Sequence, residues 1–266
     1  NKFNNQNKRI DLMKLFVSDY DMTLYINEHI DEKVFEAIKK WRDAGNIFVI
    51  ATGRNKFSIF EQIEKYKIGF DYLIANNGAL IFDNERKIIF KETIAESEAY
   101  KVIKSVFDKF GATVEITTDE CIISVHSKLK NDILYSDAFK IGKIIDIEEI
   151  DSIKNIIQIN KMTNDIEKTK TVADFINDNF KEVVAYGNIR TVDIVDKKVN
   201  KASGIAFLEN ILKDKIEKIF TAGDSNNDID MIKKYDGYVQ INAGENIKKI
   251  TGKYFSLISD IMNENL

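Results

Sequence analysis

A series of short, continuously apolar runs separated by amphipathic stretches constrains this chain most. Leu15-Phe16-Val17-Ser18, Ile47-Phe48-Val49-Ile50-Ala51 and Tyr72-Leu73-Ile74-Ala75 have no polar face to offer solvent. Strands of that kind belong to a parallel sheet covered on both sides by helices. The intervening stretches supply them. Val34, Ile38 and Trp41 recur at helical spacing, Asp31 is placed to cap, and Gly45 follows the end. A second helix is expected over 57–66, and 79–82 with 87–90 reads as a hairpin about a turn at 83–86. The last seventy or so residues return to the alternation, with helix 201–213, strand 218–222, helix 226–234 and strand 238–241.

Between these halves the pattern changes. Helix 96–110, strands 113–118 and 122–126, strand 155–160, helix 165–179 and the pair 182–186 and 190–195 suggest an antiparallel sheet with helices on one face. The expected architecture is α/β: a doubly wound, mostly parallel core of residues 1–91 and 195–266, interrupted by an α+β insert over 92–194.

Composition narrows the function classes. The chain has 266 residues, 44% hydrophobic and 31% charged, with a net charge of −4. That is a soluble globular profile without the polycationic surface a nucleic-acid backbone requires. No apolar run approaches the roughly 18 residues of a membrane span, and no secretory leader is visible. Residues 1–8 read as a frayed tail. Cys121 is the only cysteine, which fits a reducing, cytoplasmic setting; in an apolar strand it is expected to be a small buried residue. Proline is absent, so turns must rely on Gly, Asn and Asp.

Chemistry concentrates where the strands end. Asp19 and Asp21 follow the first apolar run. Side chains at i and i+2 of an extended segment point the same way, so both carboxylates reach one place. Two like charges held that close call for a cation or a shared proton, although Asp is also an ordinary turn residue. Thr52-Gly53-Arg54 ends the second strand with a hydroxyl and backbone amides entering a helix, a setting that suits phosphate. Lys201 opens the helix after the insert. Gly223-Asp224-Ser225-Asn226-Asn227-Asp228 ends the next strand with two more acids. In doubly wound sheets this edge is where ligands bind.

The ordered set Asp19-x-Asp21-x-Thr23, Thr52-Gly53-Arg54, Asn76-Asn77-Gly78-Ala79, Lys201 and Gly223-Asp224-Ser225-Asn226-Asn227-Asp228 resembles the haloacid dehalogenase-like phosphohydrolases, and within them the Cof-like branch with a type IIB cap. The likeness runs over about 13–262, and Gln240-Ile241-Asn242-Ala243 looks like that family's final core strand. It departs at Met22, where Gly is common, and at Ser225-Asn226.

The resemblance implies a Mg²⁺-dependent phosphatase acting on small phosphorylated metabolites. Asp19 would be the nucleophile that forms an aspartyl-phosphate, and Asp21 the general acid and base. Asp19, a backbone carbonyl at Asp21 and Asp224 would hold Mg²⁺, with Asp228 supporting. Lys201, Thr52, Gly53, Asn227 and the amide of Tyr20 would hold the phosphoryl group.

Taken singly, Lys201 is a surface lysine, Thr52 a helix cap and Asp224–Asp228 a polar turn; the ordered set argues otherwise. Calcium loops starting at Asp19 or Asp224 are excluded, because Leu24 and Ile229 stand where Gly is needed. No Walker or dinucleotide glycine motif is present, and His29 and His126 lie near no nucleophile elbow. A phosphomutase, or a non-catalytic metabolite-binding or regulatory protein, remains compatible with the same scaffold. A monomer is the plain expectation, and the insert is where substrate choice should lie; Arg190 reads first as a solvated hairpin residue and only second as a contact for a substrate anion.

Overall fold

The computed structural model describes residues 12–111, 114–126, 142–163 and 165–266. The expected tail at 1–8 and the first residue of the expected strand 113–118 lie outside them. An eight-stranded sheet forms the core, in the order 254–255, 238–240, 216–223, 13–19, 47–51, 72–75, 80–83, 88–91. Its strands are parallel from 254–255 through 72–75, and the hairpin 80–83/88–91 adds two antiparallel strands at the edge.

Burial on both faces follows from the continuous apolar runs. Along the first strand, Phe16 enters one cluster with Trp41, Phe48 and Leu73. Leu15 and Val17 enter the other with Val49, Ile74 and Ile205. Asp31 caps helix 32–43 by accepting from the Lys33 amide. The indole of Trp41 donates to the Ile47 carbonyl at 3.0 Å, so a fully buried Trp leaves no polar atom unpaired.

A second, six-stranded sheet lies in the insert, in the order 183–187, 191–196, 158–162, 114–117, 122–126, 143–146. One of its faces packs on helices 96–110 and 166–179 through Val102, Val106, Val172 and Ile176. The other face is polar, because side chains alternate: register pairs Asp193 with Asn160, and Asn160 with Glu115.

Several local expectations are corrected. Strand 143–146 pairs in parallel with 122–126, so the second sheet is not wholly antiparallel. The strand expected at 155–160 runs over 158–162, and the second sheet continues to Asp196, two residues beyond 194. The expected helix 226–234 begins as a 3-10 turn at 226–228 and becomes α-helical over 229–234. Cys121 precedes strand 122–126 and is half-buried rather than core. No helix among the described residues is long and apolar enough to cross a membrane.

Candidate active site at the carboxyl edge of the core sheet

Parallel pairing brings the motif ends together. Asp19 pairs with Ala51, the residue before Thr52, and Ser18 pairs with Ala222, two residues before Asp224. Asn76 and Asn77 follow the next strand over, with the Asn77 amide donating to the Thr52 carbonyl at 3.0 Å. Asn200 caps helix 201–212 by accepting from the Ser203 amide, which sets Lys201 on its first turn.

A cavity of about 950 Å³ lies between this edge and the polar face of the second sheet. Asp19, Asp21, Thr52, Gly53, Asp224 and Asn227 line it from the core. Gln158, Asn160, Asn188 and Asp193 line it from the insert, with Arg190 exposed at its rim. The Tyr20 side chain points away from the cavity: its ring is buried, stacked on Tyr25, and its hydroxyl donates to Gln62.

Beneath the cavity, Lys201 is fully buried and divides its ammonium between Asp19 Oδ1 at 2.5 Å and Asp228 Oδ1 at 2.7 Å. Burial alone pushes an ammonium pKa down, but these two carboxylates outweigh it and hold Lys201 above its usual range. Asp228 is otherwise committed, its Oδ2 accepting from the amides of Asp224 and Ser225. Asp224 accepts from the Thr23 hydroxyl at 2.9 Å, a role for Thr23 that its place in the motif did not disclose.

One carboxylate oxygen from each of Asp19, Asp224 and Asp228 lies within 4.8 Å of the other two. Burial, then repulsion from Asp228, raises the Asp224 carboxyl to about 7. Burial raises Asp19 as well; Lys201 opposes this, while Asp228, Asp224 and Asp21 add to it. Once ionised, three carboxylates against one ammonium would leave two negative charges, the charge of one divalent cation. The donors are all hard oxygens, so the residues fit Mg²⁺.

Asp21 stands apart from that cluster. Arg54 grips it in a two-point pair, Nε to Oδ2 at 2.7 Å and Nη2 to Oδ1 at 2.6 Å. The guanidinium lies over the Tyr20 ring and also donates to Ser58. Met22, in the turn after it, has φ 61°, the left-handed region that favours glycine.

The model of the haloacid dehalogenase-like hydrolase family matches residues 16–256. The 5-amino-6-(5-phospho-D-ribitylamino)uracil phosphatase YwtE of Bacillus subtilis is 27% identical over 82% of this chain and 84% of its own. Among solved structures, the haloacid dehalogenase subclass IIB sugar phosphatase BT4131 aligns with a TM-score of 0.76 at 22% identity, covering 95% of this chain and 99% of that one. A HAD/COF-like hydrolase from Plasmodium vivax aligns at 0.79 and 20% identity, covering 97% and 96%.

Proposed function

Because the chain belongs to the haloacid dehalogenase-like hydrolases, we propose that it is a Mg²⁺-dependent phosphatase of small phosphorylated metabolites that works through an aspartyl-phosphate. The observation that carries this reading is the buried Asp19, on the cavity wall and ion-paired to Lys201 at 2.5 Å, beside two further carboxylates. A nucleophile in that setting keeps its position without solvent, and the ammonium beside it offsets charge as the phosphoryl group arrives.

Asp19 attacks phosphorus while the bond to the leaving oxygen breaks, and Asp21 delivers a proton to that oxygen. Water then attacks the phosphoryl group, its proton passing to Asp21, and inorganic phosphate leaves with Asp19 restored. Arg54 holds both Asp21 oxygens at the wall, so the place of the carboxyl beside the cavity depends on the guanidinium fork. Thr52, Gly53, Asn227 and the Tyr20 amide are the donors assigned to the phosphoryl oxygens. Mg²⁺ held by Asp19, Asp224 and a backbone carbonyl at Asp21 would supply positive charge to the phosphoryl group. Asp228, already engaged by Lys201 and two amides, supports Asp224 and the lysine.

The cavity wall contributed by the insert is rich in carboxamides, which suit hydroxyl groups, and it has room for more than a phosphate. A phosphorylated sugar or polyol is therefore the favoured class. The relative named above acts on a phosphorylated ribityl compound, a substrate of that kind. The test is inorganic phosphate release from sugar phosphates, nucleotides and 5-amino-6-(5-phospho-D-ribitylamino)uracil, with Mg²⁺ and with chelator. Release by the wild type, lost with chelator and with Asp19→Asn, is expected; release that survives Asp19→Asn removes the covalent route.

A further inference from the structure

Asp193 is a buried carboxylate that the proposed chemistry does not use. It lies on the polar face of the second sheet, in strand 191–196, and is 3% exposed. Its Oδ2 accepts from Asn77 Nδ2 at 3.2 Å and from Asn188 Nδ2 at 3.1 Å, and its Oδ1 accepts from Asn160 Nδ2 at 2.7 Å. Asn160 and Asn188 belong to the insert. Asn77 belongs to the core.

A carboxylate has no hydrogen to give, so each carboxamide around it must turn its NH₂ inward. For Asn77 that choice propagates. Its Oδ1 then faces Asn227 Nδ2, which donates to it at 2.8 Å. Asn227 Oδ1 in turn accepts from the Ser225 hydroxyl at 2.7 Å. The donors Ser225, Asn227 and Asn77 thus run in one direction and end on Asp193. Without a terminal group that only accepts, each amide could reverse. Burial raises the Asp193 carboxyl to about 6, opposed by the amides and Lys201, so at neutral pH it is ionised and the direction holds.

The approach is close by construction. A Cβ at Gly53 would sit 2.7 Å from Asp193 Oδ2 and 3.1 Å from the Asn77 side-chain amide, so a methyl there would push these two side chains out of their present pairing. A second link, Gln158 Nε2 to the Gly53 carbonyl at 3.1 Å, ties the same two surfaces.

We propose that Asp193 is a positioning residue through which the insert sets the amide orientation of Asn77 and Asn227, so that the phosphate end of the cavity is complete only when the insert is seated. This rests on the reading of Asn227 as a phosphate donor. It assigns to the insert a part in assembling the phosphate site, besides covering it.

The test is a double-mutant cycle on the full chain with Mg²⁺, reading inorganic phosphate affinity by calorimetry alongside KM and kcat. Asp193→Asn keeps the shape but allows the amides to reverse. It is expected to weaken phosphate and raise KM about tenfold, as loss of one hydrogen bond to a charged group does, with kcat little changed. In an Asn227→Ala background the same change should do nothing further. Should Asp193→Asn fold poorly, Asn77→Gly removes the intermediate amide while suiting its left-handed backbone at φ 55°, and it should likewise add nothing to Asn227→Ala. Effects that multiply would make Asp193 an adhesive between two surfaces and overturn the relay. Unchanged phosphate affinity in Asp193→Asn, with substrate still hydrolysed, overturns the relay and leaves the phosphatase reading standing. A wild type that neither binds phosphate nor hydrolyses any substrate removes both.

Discussion

Lys201 lies 182 residues from Asp19 in the chain, yet its ammonium rests 2.5 Å from that carboxylate with no exposure to solvent. Removing it strands Asp19 and Asp228 as buried charges, and breaking such an arrangement costs about 3–5 kcal/mol. Lys201→Met is expected to lower unfolding free energy by that amount in urea titrations and to abolish phosphate release. Stability unchanged by the substitution would show that the carboxylates find other partners.

The acidic cluster gives a pH dependence with a definite sign. Asp224 is raised to about 7 and Asp19 is raised too, so the folded protein binds more protons than the unfolded chain between about pH 4 and 7. Their contribution to stability is therefore present at low pH and is lost as pH rises through about 7. In metal-free protein the melting temperature should fall between pH 5.5 and 8. Added Mg²⁺, which replaces those protons, should raise it more at pH 8 than at pH 5.5, by a margin of at least about 2 °C. Scanning calorimetry with and without chelator reads both effects.

Arg54 grips both oxygens of Asp21, and lysine offers one point charge instead of a fork. Arg54→Lys is expected to lower kcat/KM for alkyl phosphates about tenfold or more, with little change in melting temperature. Asp21→Asn should cost more with alkyl phosphates than with p-nitrophenyl phosphate, whose leaving group needs no proton. Equal losses on both substrates would take Asp21 out of the acid role.

Met22 is held at φ 61°, which costs a non-glycine residue about 1–2 kcal/mol. Glycine would relieve the strain but loosen the unfolded chain by roughly 0.4–1 kcal/mol. A net gain of about 0.5 kcal/mol is expected for Met22→Gly in chemical denaturation. A clear loss would mean that the Met22 side chain, 44% exposed at the cavity wall, makes contacts worth more than the strain.

Much of the site was legible because its residues come in short runs tied to strand ends. Asp19 and Thr52 close continuously apolar strands and Asp224 follows a strand buried over its last half, and a parallel sheet aligns such ends at one edge whatever the loops do. What stayed hidden depends on pairings across long separations. Arg54 was visible within Thr52-Gly53-Arg54, but its grip on Asp21 was not, and Thr23 gave no hint of holding Asp224. The stacking of the Tyr20 ring on Tyr25 was likewise not legible in the motif. Strand 143–146 was missed because it is short and half exposed, and its parallel pairing with 122–126 cannot be read from alternation.

Local order along the chain was enough to determine the class of fold and the acidic and basic groups at the sheet edge, because period, apolar runs and motif spacing are properties of neighbours. The polar row Asp193, Asn160 and Glu115 shows the same limit from the other side. Its alternation with Val192, Ile159 and Ile116 marks one face of a sheet, and such a face ordinarily meets water. Only the tertiary structure decided that it meets the core, since burial of a polar side chain depends on what a distant segment places over it. There Gly53 admits Asp193, and Asn77 gives it a partner.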